Sequence, residues 1–165
     1  MSTRSPSPHA AHWTLDPEIT FLNHGSFGAC PRPVLALQAE LRARLERQPV
    51  QFMARELEGR LDEARTALAS FVRAVPADLA FVPNATSGVN AVLRSLVFAP
   101  GDELLTTDHA YGACRNALHF VAERSGAAIV TAPVPFPLDG SDAVVAAVLA
   151  RVTPRTRLAL LDHVT

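Results

Sequence analysis

The chain has 165 residues, of which 48% are hydrophobic and 19% are charged, as in an ordinary globular protein. Its formal net charge is −1, which excludes the strongly basic balance of proteins that bind nucleic acids or membrane surfaces through bulk charge. The sequence contains no apolar run suited to a secretory signal or a membrane span, and its two cysteines form neither a disulfide framework nor a metal-ligand spacing. These features predict a cytoplasmic protein with reduced thiols and no metal site.

Two amphipathic helices are predicted in the first part of the chain. Residues 1–11 include a Ser- and Pro-rich start and are predicted to be disordered, whereas residues 12–75 are predicted to form an N-terminal helical segment. Both helices follow from apolar residues at helical spacing. The first apolar stripe consists of Val34, Leu37, Leu41 and Leu45, and the second of Leu57, Leu61, Ala64, Leu68 and Phe71.

From residue 76 to residue 165, apolar segments typical of strands alternate with segments typical of helices. The predicted strands are Leu79–Val82, Glu103–Thr107, Ala128–Val134 and Arg157–Val164. The helices predicted between them contain Val89 to Leu96, Gly112–Arg124 and Ala143–Leu149. Strands separated by helices need crossover connections, which favour parallel pairing. The sequence therefore predicts an α/β fold, a parallel sheet with flanking helices, preceded by the N-terminal helices.

The last predicted strand differs from the others in composition. Its residues Leu158 to Leu161 are all apolar, a pattern typical of a strand that is buried on both faces. We therefore expect this strand to lie centrally in the sheet.

Polar segments follow three of the predicted strands, at the edge where parallel sheets bind ligands. The segment Asn84-Ala85-Thr86-Ser87-Gly88 opens a helix, and its N–H groups and hydroxyls suit a phosphate, although the motif taken alone favours a simple helix cap at Asn84 or Thr86. In Asp108-His109-Ala110-Tyr111-Gly112, the ring of His109 could cover a flat cofactor or exchange protons. The alternative is a capping segment in which Asp108 caps the following helix and His109 is merely nearby. In Asp162-His163-Val164-Thr165, the hydroxyl of Thr165 could form a hydrogen bond with a ligand, and the alternative is a solvated loop.

A fourth polar segment, Asn23-His24-Gly25-Ser26-Phe27-Gly28, lies upstream. Its two glycines allow tight backbone geometry or the close approach of a ligand, and a plain surface turn is the alternative. The spacing is not a dinucleotide fingerprint, which needs a preceding strand and a further glycine.

In this order, the four segments resemble the start of a class V aminotransferase, an enzyme of fold type I that uses pyridoxal 5′-phosphate (PLP), close to the isopenicillin N epimerase-like branch. The resemblance extends from about residue 12 onward. It implies that residues 76–165 are part of an incomplete PLP-binding large domain. It also implies that the full-length form is a homodimer and that its small-molecule substrate is an amino acid.

The resemblance also implies roles for individual residues. The phosphate of PLP would be bound by Ala85, Thr86 and Ser87. His109 would stack on the pyridine ring, and Thr165 would lie near the ring hydroxyl. The substrate would be bordered by Asn23, His24 and Gly25.

The chain departs from the family pattern in one large respect, since it contains fifteen Arg residues and no Lys. The family uses a Lys to form the Schiff base with PLP and an Asp to pair with the pyridine nitrogen, and neither is matched here. We therefore predict that the chain holds no catalytic residue and is inactive alone.

Three hypotheses follow. The first is that the chain is the N-terminal part of a PLP-dependent epimerase, transaminase or lyase. The second is a short non-catalytic remnant or interaction protein of the same fold. The third, a small phosphate-binding or hydrolase-like domain, is disfavoured because no Ser lies in a G-x-S-x-G nucleophile elbow.

Overall fold

A computed structural model describes residues 7–163 of the chain. The chain divides into two compact units, Met1–Ala80 and Phe81–Thr165. The predicted disorder of residues 1–11 and the predicted domain boundary after residue 75 stay predictions.

The unit Met1–Ala80 is helical. Its long helices are α1 (Arg32–Arg47) and α2 (Leu57–Val72), and α2 is entered through the short turns Pro49–Gln51 and Phe52–Glu56. Arg73 ends α2 in the left-handed conformation, with φ of 58°. Both predicted helices are confirmed, but their apolar stripes are largely exposed: Val34 retains 53% of its accessible surface and Phe71 retains 85%.

The unit Phe81–Thr165 contains a three-stranded parallel sheet with flanking helices. In chain order its elements are α3 (Ala85–Ser95), β1 (Glu103–Thr107), α4 (Gly112–Ser125), β2 (Ala128–Ala132), α5 (Ser141–Leu149) and β3 (Thr156–Leu160). The strand order is β2-β1-β3, and both pairings are parallel. The predicted α/β fold class is confirmed, and the observed bounds of β1 coincide with those predicted.

The core of this unit forms around β1, whose five residues are all buried. Leu104 is fully buried and packs in one cluster with residues from both neighbouring helices, Leu93, Ala117, Leu118, Val121 and Ala122. Helix α4 ends at Gly126, which takes φ of 74° as its C-cap. A Cβ atom at Gly126 would lie 3.2 Å from Cγ of Pro100, so both the conformation and the packing favour glycine there.

Two expectations about strands are wrong. The last strand, β3, lies at an edge of the sheet and β1 lies at its centre. The side chains of β3 alternate between half-buried and exposed, because an edge strand is covered less completely than a central one. The strand predicted at Leu79–Val82 does not form among the described residues.

Two carboxylates join β1 to β3 at the amino edge of the sheet. The buried Glu103 accepts hydrogen bonds from the hydroxyl of Thr153 at 2.6 Å and from Nε of Arg155 at 2.8 Å. Asp102 accepts from the backbone N–H of Ala99 at 2.8 Å and from Arg157 at 3.0 Å. The Thr153 hydroxyl and the Arg155 guanidinium hold the pKa of Glu103 below its ordinary value. The Ala99 N–H and Arg157 do the same for the pKa of Asp102.

We expect the two carboxylates at this edge to make the fold less stable at acid pH. A carboxyl group whose pKa is lowered by folding stabilises the fold above its unfolded pKa, about 4.3 for Glu, and this contribution is lost as the pH falls through the lowered folded value. The melting temperature of the chain should therefore fall between about pH 5 and pH 3. Glu103→Gln should lower the melting temperature at pH 7 and flatten the acid-dependent fall.

Glu123→Gln is the matched control, because Glu123 is exposed on α4 and forms no hydrogen bond or ion pair with the described residues. It should leave the pH profile of the melting temperature unchanged. Equal profiles for wild type and Glu103→Gln would contradict the prediction.

Within residues 7–163, no helix is both long and apolar enough to cross a membrane. The same residues contain no cluster of three His, Cys, Asp or Glu side chains that could hold a metal ion. Cys30 is exposed, Cys114 is buried, and both thiols are free.

Candidate functional site

The first residues of α3 form a capped but incompletely satisfied helix N-terminus. Asn84 is the N-cap, and its side-chain oxygen accepts the backbone N–H of Ser87 at 2.8 Å. Asn84 also accepts the N–H of Gly88 through its carbonyl oxygen at 3.2 Å. The N–H groups of Ala85 and Thr86 have no acceptor among the described residues, as expected for the first turn of a helix.

These observations separate the two interpretations of the motif. Asn84 is a helix cap, so the cap interpretation applies to that residue. Ala85 and Ser87 are exposed and Thr86 is half-buried, so two N–H groups and two hydroxyls are available to an anion at the positive end of the helix dipole. Capping and phosphate binding are therefore compatible here.

The loop between β1 and α4 carries His109, which is exposed and forms no hydrogen bond with the described residues. The neighbouring Asp108 does not cap α4, whose N-cap position is Tyr111. Instead, the Asp108 carboxylate accepts the backbone N–H of Val134 at 2.9 Å, and its own N–H donates to the carbonyl of Ala132 at 3.2 Å. The alternative interpretation, in which Asp108 caps the helix, is therefore excluded, since this side chain joins the end of β1 to the end of β2.

The segment after β3 contacts the same loop. The carboxylate of Asp162 accepts the backbone N–H of Tyr111 at 2.6 Å. Next to it, the buried hydroxyl of Thr106 donates to the carbonyl of Leu160 at 3.0 Å, which joins the ends of β1 and β3. Thr165, predicted to lie near the ring hydroxyl, is outside the described residues.

The C-terminal halves of α3 and α4 lie close together and pack near the start of β1. Leu93, near the end of α3, packs in one cluster with Leu104, near the start of β1, and with Val121, near the end of α4. Helix α4 connects β1 to the parallel strand β2, so it runs antiparallel to β1 and its N-terminus lies at the carboxyl edge of the sheet. A helix of α3's length spans about 16 Å, as does a five-residue strand, so we expect Ala85, at the other end of α3, to lie near the same edge as His109.

The position of Ala85, Thr86 and Ser87 relative to His109 stays a prediction, because the strand predicted before Ala85 does not form among the described residues. Their roles in binding stay predictions. Sequence reasoning missed Asp108 and Asp162 as residues that hold this edge together. Their position directly after strands β1 and β3 is the signal that could have identified them.

The substrate-binding residues predicted upstream lie in the unit Met1–Ala80. Asn23 is the N-cap of a single helical turn, His24–Phe27, and Asn23, His24 and Gly25 are all exposed. The ring of His24 contacts the ring of Phe21 edge-on, with centroids 4.7 Å apart. A Cβ atom at Gly28 would lie 2.9 Å from the carbonyl oxygen of His24, so the tight turn requires the second glycine of the motif.

A groove of about 380 Å³ lies between the C-terminal halves of α3 and α4, and sequence reasoning did not identify it. The guanidinium groups of Arg94 and Arg124 lie 4.6 and 5.5 Å from the centre of the Phe120 ring that lines it. Because these are the C-terminal ends of the helices, the groove is at the amino edge, away from the predicted phosphate site.

Comparison with known proteins identifies the family of the chain. The chain matches the family Aminotransferase class-V over residues 30–165. It is 40% identical to an isopenicillin N epimerase from Amycolatopsis lactamdurans, over 92% of this chain and 38% of that protein. It is 34% identical to a putative L-cysteine desulfhydrase from Oryza sativa subsp. japonica, over 89% of this chain and 33% of that protein.

A solved structure gives the same result for the fold. A mutant of the enzyme C-DES, with glycine covalently linked to its PLP cofactor, superposes with a TM-score of 0.83 at 27% identity, over 96% of this chain and 41% of that one. The chain therefore spans only about two fifths or less of the lengths of these relatives. The predicted resemblance is confirmed, and this chain belongs to the class V aminotransferase family of fold-type-I enzymes.

Proposed function

We propose that residues 81–165 form the phosphate- and ring-binding part of a PLP-dependent enzyme that acts on an amino acid, of the epimerase, transaminase or lyase type. The proposal is supported by the N-terminus of α3, whose first two N–H groups have no acceptor among the described residues, together with the exposed His109 ring after β1. The names of the relatives point to isopenicillin N and L-cysteine as candidate substrates. A cytoplasmic location and a homodimeric full-length form are part of the same proposal.

The residues at this edge fit PLP by their chemistry. The N–H groups of Ala85 and Thr86 lack acceptors within residues 7–163, and together with the hydroxyls of Thr86 and Ser87 they would hold the phosphate. The exposed ring of His109 would stack against the flat ring, and Thr165 would donate or accept a hydrogen bond at the ring hydroxyl. Asn23, His24 and Gly25 would border the substrate.

PLP, when bound, supplies a conjugated ring that withdraws electrons from the bonds at the α-carbon of an amino acid. The residues of this chain would bind and orient that ring but would not move the substrate proton, because the chain contains no lysine. We therefore propose that the chain is inactive alone and that a lysine and an aspartate outside it complete the site.

Binding can be tested on the 165-residue chain with pyridoxine 5′-phosphate, which carries the ring and the phosphate but no aldehyde that could react with an amine. Inorganic phosphate is the reference ligand. Ring stacking contributes about 0.5–1.5 kcal/mol, so we expect pyridoxine phosphate to bind roughly 2- to 12-fold more tightly than phosphate in calorimetric titrations. Equal affinities, or no binding of either ligand, would refute the proposal.

The absence of lysine also favours the second candidate, a short non-catalytic protein of the same fold. Sequencing the gene beyond the codon for Thr165 separates the two candidates. A continuing reading frame that encodes an Asp and a later Lys supports the enzyme. A stop codon directly after Thr165 supports the non-catalytic protein.

A further inference from the structure

The loop that carries His109 is held from both sides by carboxylates. Asp108, in the loop itself, accepts the N–H of Val134 beyond the end of β2. Asp162, beyond the end of β3, accepts the N–H of Tyr111. His109 lies between these two attachments, so the neighbouring strands fix the backbone on both sides of it.

The hydrogen bond to Asp162 has the features of a strong one. Its N···O distance is 2.6 Å, short for a bond from a backbone N–H to a carboxylate. Tyr111 occupies the N-cap position of α4 and supplies no side-chain cap of its own. The carboxylate of Asp162 therefore provides both a hydrogen-bond acceptor and a negative charge at the positive end of the α4 dipole.

The ring of His109, by contrast, has no hydrogen-bond partner among the described residues. Its position above the sheet edge depends on the backbone of the loop rather than on contacts of the ring itself. A loop that is already ordered loses less conformational entropy when the ring stacks on a ligand. A hydrogen bond that orders the loop should therefore increase the affinity for a flat ligand.

We propose that Asp162 is a positioning residue for His109: by holding the N–H of Tyr111, it keeps the His109 ring over the carboxyl edge of the sheet, ready to stack on the cofactor ring. This inference rests on the proposed function, since that function supplies the ring. Asp162 itself touches neither cofactor nor substrate. Its effect passes through the loop.

The structural part of the proposal can be tested without a ligand, by amide hydrogen exchange in the 165-residue chain. Asp162→Ala should speed the exchange of the Tyr111 amide by about tenfold or more, because this N–H loses a charged acceptor. Asp162→Asn retains an oxygen acceptor and should restore most of the protection. Asp139→Ala is the control, because Asp139 is exposed and has no hydrogen bond or ion pair with the described residues. Unchanged exchange in Asp162→Ala would overturn the proposal.

The functional part requires both ligands and a double-mutant cycle. Asp162→Ala should weaken the binding of pyridoxine 5′-phosphate by roughly 3- to 10-fold and leave the binding of inorganic phosphate unchanged. In the background of His109→Ala, the same substitution should have no further effect, since the ring it positions is gone. A purely structural role would weaken both ligands equally, or would act independently of His109, and either result would overturn the proposal.

The two proposals fail in different ways. If the wild-type chain shows no preference for pyridoxine phosphate over phosphate, the proposed function fails, and the positioning role with it. If the wild type shows the preference but Asp162→Ala retains it in full, the positioning role alone fails.

Discussion

Replacing Ser87 with glutamate is expected to weaken phosphate binding by roughly 10- to 100-fold without lowering the melting temperature. Ser87 is exposed in the first turn of α3, where its backbone N–H is already bonded to Asn84. A carboxylate there interacts favourably with the helix dipole, so the fold should be unaffected or slightly stabilised. The same charge repels a phosphate dianion bound at the N–H groups of Ala85 and Thr86. The substitution therefore separates stability from binding.

The measurements are titrations with inorganic phosphate and pyridoxine 5′-phosphate, together with a thermal melt. Gln38→Glu is the matched control, because it changes the net charge by the same amount at an exposed position of α1 in the other unit. We expect wild-type affinity from this control. If Ser87→Glu binds phosphate as tightly as the control does, the anion site is not at the N-terminus of α3.

Local signals in the sequence predicted much of the fold of residues 81–163. Helix α4 is predicted by the spacing of its apolar residues Leu118 and Val121 and by Gly126, which ends it. Both features act within one or two turns of the chain. The bounds of β1 follow from the turn Pro100-Gly101-Asp102 before it and the polar segment after it. Elements whose formation depends on neighbouring residues in the chain are the ones that sequence reasoning identifies correctly.

The two wrong strand predictions have a different cause. Leu158 to Leu161 have the composition of a central strand, but whether a strand is central depends on which strands pair with it, and within residues 7–163 β3 pairs only with β1. Leu79–Val82 also has the composition of a strand, yet no strand forms there in the described part of the chain. Composition reports that a segment suits a sheet, whereas pairing decides its place in one.

The candidate site shows the same division. The sequence pattern predicts that Ala85 and His109 lie at one edge, since each follows a segment with the composition of a strand. The attachments made by Asp108 and Asp162 were not predicted, because each joins residues far apart in the chain: 26 positions for Asp108 and Val134, and 51 for Tyr111 and Asp162. Hydrogen bonds of this kind become visible only in the folded structure.

Leu104→Ala should destabilise the unit Phe81–Thr165 by about 2–5 kcal/mol, the range for deleting a buried leucine side chain. Leu104 is fully buried in the central strand, and it packs against Leu93 of α3 and Leu118 of α4. The loss should therefore loosen both helices whose N-termini lie at the candidate site. Leu149→Ala is the control, because Leu149 on α5 is 63% exposed and its removal should change stability by less than about 0.5 kcal/mol.

The two cysteines provide a specific measurement of this effect. Cys114 is buried in α4, so a thiol reagent reaches it only when the unit opens, whereas the exposed Cys30 serves as an internal reference in the other unit. When opening and closing are fast relative to labelling, the labelling rate follows the free energy of opening. Leu104→Ala should therefore speed the labelling of Cys114 by roughly 30- to 5,000-fold, up to the rate of Cys30, which should itself not change. Slow labelling of Cys114 in this variant would mean that the Leu104 cluster does not hold α4 on the sheet, and the arrangement of the His109 loop would then need another source of support.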